Sequence, residues 1–158
     1  MENKKEKKFS INEAKAKIEH YCAYQERCQK EVREKLYSFG LYSDEVEQVL
    51  MELVKTNFVN EERFAQAYAG GKFRQKKWGK AKIIRELKWR NISAYCIKKA
   101  MKEIDDEDYE RSIRNLSEKY ASKLSIKNPY LKQKKIMNHL ISKGYTYDEC
   151  HEIVKEMT

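Results

Sequence analysis

The chain repeats itself, and this constrains its fold more than any other feature. Aligned with itself at an offset of 51, Glu31-Val-Arg-Glu-Lys-Leu-Tyr-Ser-Phe-Gly-Leu41 falls over Lys82-Ile-Ile-Arg-Glu-Leu-Lys-Trp-Arg-Asn-Ile92. A further offset of 53 brings in Lys135-Ile-Met-Asn-His-Leu-Ile-Ser-Lys-Gly-Tyr145. Val32, Ile83 and Ile136 share one column, and Leu36, Leu87 and Leu140 share the next apolar one. Spaced at i and i+4, they mark one face of a helix. Gly40, Asn91 and Gly144 follow, the residue types that tolerate the left-handed backbone closing a helix. An apolar residue succeeds each: Leu41, Ile92, Tyr145. Then Val46/Ile97/Cys150, Val49/Ala100/Ile153 and Leu50/Met101/Val154 give the i, i+3, i+4 stripe of another helix.

Upstream of each pair lies a further amphipathic segment. The first carries Ala14, Ile18, Tyr21 and Cys22, the second Phe64, Ala67 and Tyr68, the third Tyr109, Ile113, Leu116 and Tyr120. Start signals agree. Ser10-x-x-Glu13 and Thr146-x-x-Glu149 read as capping boxes, Asn128-Pro129 as an N-cap with a first-turn proline, and Asp105–Asp108 as an acidic first turn. With 5 Gly and 1 Pro in 158 residues, the chain lacks the frequent turns of an all-β protein. The expected fold is all-α: three tandem three-helix repeats over 10–58, 59–104 and 105–158, stacked into an elongated, curved array. Residues 1–9 are expected to be a disordered basic tail carrying Lys4, Lys5, Lys7 and Lys8.

Charge is concentrated in the middle repeat. The chain carries 34 Lys+Arg against 25 Asp+Glu, a formal +9. Between Lys72 and Lys102 stand 12 basic residues and one acid, Glu86, so this stretch holds +11 and the remainder −2. Such an excess points to a partner of negative charge, a nucleic acid or an acidic protein surface. Lys and Arg neutralise phosphates, and Phe73 and Trp78 interleaved among them can stack on bases; the competing reading is a solvated helix end with both rings packed inward. Lys82, Arg85 and Trp89 form a stripe at i, i+3, i+7, either facing a partner or covering a joint between repeats. The candidate partner- or DNA-binding residues are therefore Lys72, Arg74, Lys76, Lys77, Trp78, Lys80, Lys82, Arg85, Lys88 and Arg90. Lys98, Lys99 and Lys102 either extend that face or favour a helix C-terminus.

Other chemistries find no support. Gly70-Gly71-Lys72 lacks phosphate-loop spacing, and His151-Glu152 lacks the second histidine of a helical zinc motif. His139, Cys150 and His151 read as core or surface residues rather than ligands, and no nucleophile has a recognisable context. Neither catalytic residues nor metal nor cofactor is expected. Purely apolar runs stop at four residues (Tyr21–Tyr24, Ala94–Ile97), too short for a transmembrane span. The charged N-terminus has no apolar core behind it, so a cytoplasmic protein is expected; a monomer is the expected state. The four cysteines (Cys22, Cys28, Cys96, Cys150) contain no CxxC and are expected to be small core hydrophobes.

Three stretches carry a resemblance: Glu31-Val-Arg-Glu-Lys-Leu36, Phe58-Val-Asn-Glu-Glu-Arg-Phe-Ala-Gln-Ala-Tyr68, and Trp78-Gly-Lys-Ala-Lys-Ile-Ile-Arg-Glu-Leu-Lys-Trp-Arg-Asn-Ile92. Together they resemble the RecX family of bacterial recombination regulators, and Ile136 to Val154 is similar to that family's third repeat. The middle block is the most specific. Gly79-Lys80 stands where Gly-Pro is usual, and Asn91 where Gly is usual; both fit the same turn and cap. The resemblance implies a non-enzymatic modulator lying in the groove of the RecA filament on single-stranded DNA. There it would restrain ATPase, strand exchange and co-protease activity, and so influence recombination and the SOS response, with weak affinity for duplex DNA. The alternative from the residues alone is a helix-turn-helix transcription regulator whose 80–91 helix enters a major groove.

Overall fold

The computed structural model describes residues 9–158, and among these the chain is entirely helical, without strands. Unit 1 comprises α1 (Ile11–Tyr24), α2 (Gln29–Ser38) and α3 (Ser43–Lys55). Unit 2 comprises α4 (Glu61–Lys76), α5 (Lys80–Trp89) and α6 (Ala94–Met101). Unit 3 comprises α7 (Asp106–Ala121), α8 (Pro129–Ser142) and α9 (Tyr147–Glu156). Of the basic tail expected over 1–9, residues 1–8 lie outside the described residues. Phe9 belongs to unit 1, with its ring edge-on to Phe39 at 5.4 Å and its N–H donating to the Phe39 carbonyl at 3.2 Å.

Local chemistry sets the helix ends. Ser10, Asn60, Ser93 and Asp105 each accept an N–H three residues on. Asn128 caps Tyr130 and Leu131, with Pro129 in the first turn. Thr146 and Glu149 cap each other's backbone at 3.3 and 2.8 Å. The closing column behaves alike in all units: φ is +89° at Gly40, +60° at Asn91 and +103° at Gly144. The following N–H then returns to the carbonyl five residues back, as Leu41→Leu36, Ile92→Leu87 and Tyr145→Leu140.

Leu36, Leu87 and Leu140 are fully buried, as are Val32, Ile83 and Ile136. Unit 1 has its own core, whereas units 2 and 3 share a continuous one that Cys28 of unit 1 joins. All four cysteines are buried free thiols. α4 departs from its expected face: Phe64, Ala65, Ala69, Gly70 and Phe73 are buried, Tyr68 is half-buried and Ala67 is exposed. The reason is that α4 has two neighbours. It packs along α6, where Ala65, Ala69 and Ala100 are small enough for close approach, and its last turn sends Phe73 to within 5.8 Å of the Tyr109 ring in unit 3.

The two joints between units differ. Between units 2 and 3 the backbones meet: Gly79 N–H donates to the Lys143 carbonyl at 2.9 Å and Ala81 N–H to the Gly144 carbonyl at 3.1 Å. A Cβ on Gly79 would stand 2.3 Å from the Gly144 carbonyl carbon. Tyr145, 1% exposed, donates its hydroxyl to the Lys77 carbonyl at 3.0 Å and shares a 2.9 Å bond with Ser112. Tyr109 accepts from the Lys80 N–H at 2.9 Å and donates to Glu149 at 3.1 Å. Side chains hold units 1 and 2 together instead. Arg63 pairs with Glu26 at 2.6 Å, Arg90 with Glu31 at 3.5 Å, and Lys30 lies 3.5 Å over the Trp89 ring. Among the described residues no main-chain hydrogen bond crosses that joint, and no hydrogen bond or ion pair links units 1 and 3.

Candidate polyanion-binding face

The ten candidate residues lie on the end of α4, the turn after it, and α5 and its cap. Lys77 closes α4 in the left-handed conformation, φ +59°, and Trp78 N–H returns to the Lys72 carbonyl at 3.3 Å. That reversal brings the Trp78 ring to 6.5 Å from Tyr68, where the ammonium groups of Lys72 and Lys82 lie 5.0 and 4.5 Å from its centre. Trp78 is thus half-buried, with both ammonium groups within cation–π range of its ring.

The structure divides the remaining cations into two groups. Arg90 faces inward: it bonds Glu86 at 3.0 Å, faces Glu31 at 3.5 Å and lies 4.8 Å over the Tyr68 ring. Lys80 packs 4.5 Å over Tyr109 and 3.7 Å from Asp106. These two hold the joints. Arg74, Lys76, Lys77, Arg85 and Lys88 are exposed, and among the described residues no hydrogen bond or ion pair engages their side chains. Lys98 and Lys102 are also exposed, whereas Lys99 pairs with Glu62 at 2.9 Å. Trp89 is 60% exposed and stands at the unit 1–2 joint, where Lys30 lies over its ring, as the joint-covering reading expects.

Sequence reasoning missed the contribution of unit 3. A cleft of about 370 Å³ between the end of α4 and α7 is bordered by Arg74, Lys77, Arg111 and Lys119, with Asp108 as its lone acid. Asp108 is already paired with Arg111 at 2.9 Å. Arg111 and Lys119 lie 34 and 42 positions after Lys77, in another unit, so no local signal could place them beside it. At the opposite side, unit 3 occupies the start of α5: Ala81 N–H is bonded to the Gly144 carbonyl, and the Lys82 Cβ lies 2.3 Å from where a Cβ on Gly144 would fall. Among the described residues, no three His, Cys, Asp or Glu side chains converge as a metal site, and no helix is long and apolar enough to cross a membrane.

Fold and surface together define a tandem helical-repeat protein with an exposed cationic face on its middle unit. Comparison with known proteins narrows this class. Residues 14–53, 60–101 and 106–154 match, in order, the first, second and third three-helix domains of RecX. The chain belongs to the RecX family. It is 31% identical over 134 residues to a protein named Regulatory protein RecX from Clostridium perfringens (strain SM101 / Type A), covering 84% of this chain and 62% of that one. It is likewise 31% identical over 134 residues to Regulatory protein RecX from Lactococcus lactis subsp. cremoris (strain SK11), covering 81% and 49%. The chain therefore spans about half to three-fifths of these relatives' lengths. The crystal structure of RecX from Lactobacillus salivarius superimposes with a TM-score of 0.82 at 26% identity, covering 93% of this chain and 96% of that one. A second RecX crystal structure shares the fold at 19% identity and the same TM-score.

Proposed function

We propose that this chain is a non-enzymatic regulator of the RecA recombinase, acting as a monomer in the cytoplasm. It binds the filament on single-stranded DNA within its helical groove and restrains ATPase, strand exchange and co-protease activity, thereby modulating recombination and the SOS response. The observation that carries this reading is the set of five cations without an internal partner, Arg74, Lys76, Lys77, Arg85 and Lys88, on the middle unit of a RecX-family fold. Exposed like charges gathered on one unit repel one another, and a polyanion relieves that repulsion while releasing counterions. The duplex-reading alternative has less support. A recognition helix meets base edges with its N-terminal residues, and unit 3 covers that end of α5.

The test is the ATPase rate of a preformed RecA filament as the protein is titrated well below one copy per RecA. The expected outcome is a falling rate and shorter filaments. Combined reversal of Lys76, Arg85 and Lys88 to Glu, which spares the joint residues Lys80, Lys82 and Arg90, should abolish the effect with helical content unchanged. An unaltered rate and filament length at every ratio would overturn the proposal.

A further inference from the structure

A second concentration of positive charge and aromatic surface lies outside the middle unit. On unit 1 an open cleft of about 560 Å³ is bordered by Lys17, His20, Tyr21, Tyr24, Arg27 and Lys35, and no carboxylate lines it. Lys17, His20 and Tyr24 stand at i, i+3 and i+7 on α1, which puts them on one side of the helix. The Arg27 guanidinium lies 3.7 Å from the centre of the Tyr21 ring, and its Nε donates to the Tyr21 carbonyl at 3.1 Å. Lys35 approaches the same ring at 5.3 Å. Tyr24 differs from these. It is 79% exposed, the highest value among the exposed large hydrophobic side chains, and belongs to neither core.

The core does not account for this arrangement, because an exposed ring and unopposed cations add nothing to the burial that folds unit 1. It suits a ligand presenting flat rings on a negative backbone. Every nucleobase has a π-face that stacks on tyrosine or on a guanidinium plane, and phosphates supply the anions. We infer that the α1–α2 cleft is a second site for single-stranded nucleic acid, separate from the middle-unit face: Tyr24 and the fixed Arg27 guanidinium stack bases, while Lys17 and Lys35 hold flanking phosphates. The site does not depend on RecA being the protein partner.

The experiment uses the full chain and fluorescence anisotropy with two labelled strands of equal length and charge, oligo(dT) and its abasic counterpart. A stacked base contributes enough that Tyr24→Ala should weaken oligo(dT) binding about tenfold. It should leave the abasic strand unchanged. Lys17→Glu with Lys35→Glu should weaken both strands. Arg85→Glu with Lys88→Glu, on the other face, should also lower both affinities but preserve their ratio, which separates this site from the middle-unit reading. Equal affinity for the two strands, with Tyr24→Ala altering neither, would overturn the inference. So would 5-iodouracil crosslinks that map only to Trp78 or Trp89.

Discussion

Replacing Gly79 with Ala isolates what the unit 2–3 joint requires. The backbone at Gly79, φ −76° and ψ +163°, is open to any L-residue, so an alanine there meets no intrinsic strain. The obstacle is across the joint, where the new methyl would lie 2.3 Å from the Gly144 carbonyl carbon and oxygen and 2.4 Å from Tyr145 N. All three are main-chain atoms that cannot rotate aside, so the units must separate by roughly an ångström to restore ordinary van der Waals contact. That motion stretches the Gly79–Lys143 and Ala81–Gly144 hydrogen bonds, about 1 kcal/mol each. Overpacking a closed interface adds about 1–3 kcal/mol, for a total near 3–5 kcal/mol. Gly71 is the matched control: it lies within α4 and a Cβ there meets nothing within 4 Å. Gly71→Ala should therefore stabilise by about 0.5–1 kcal/mol through helix propensity. Urea unfolding gives both energies, and amide exchange at Gly79 and Ala81 reports the joint itself. A Gly79→Ala protein within about 0.5 kcal/mol of the parent, with both amides still protected, would refute the reasoning.

Other predictions follow from the same contacts. Lys77→Gly relieves a left-handed lysine and should raise stability by about 1 kcal/mol while reducing the salt slope of DNA binding by about one, read by urea midpoint and by anisotropy across salt. Arg90→Ala strips Glu31 and Glu86 of their shared cation and should cost about 1–3 kcal/mol in urea unfolding, whereas Arg85→Ala should stay within about 0.5 kcal/mol. Burial holds Cys28 and Cys150 protonated, pushing their thiols from 9.0 up to about 11 and about 12, and raises Tyr145 from 10.0 to about 12. Because the folded state retains these protons more tightly than the unfolded chain, their contribution is intact below pH 9 and is lost as pH rises from 9 to 12. The urea midpoint should fall across that window, and a flat profile would contradict it.

What could be read from the sequence was what local chemistry decides. The closing column of Gly40, Asn91 and Gly144 was visible because a positive φ selects those residue types. The buried columns were visible because each second and third helix shows one apolar face to its own unit. α4 misled because it is covered from two directions, which blurs a single stripe and leaves Ala67 outside. The joint was hidden for a different reason. The need for Gly at 79 arises from Gly144, 65 positions away, and nothing near Gly79 records it. The candidate site was only partly legible. A count of lysines and arginines finds the charge but cannot separate Arg90, which faces Glu31 and Glu86, from Arg85, which has no such partner. Nor could it bring Arg111 and Lys119 alongside.

The contrast between the two joints has a mechanical consequence. Main-chain bonds across Gly79 and Gly144 involve no rotamers and little salt dependence, so units 2 and 3 form a stiff block. Apart from the buried Cys28, the other joint relies on long side chains, Arg63 to Glu26, Arg90 to Glu31 and Lys30 on Trp89. Their rotamers are softer, and their attraction is screened over about 10 Å at 0.1 M salt. Bending compliance is therefore concentrated at one point of the array. Under load, unit 1 is the arm that yields first, against a stiffer base formed by units 2 and 3.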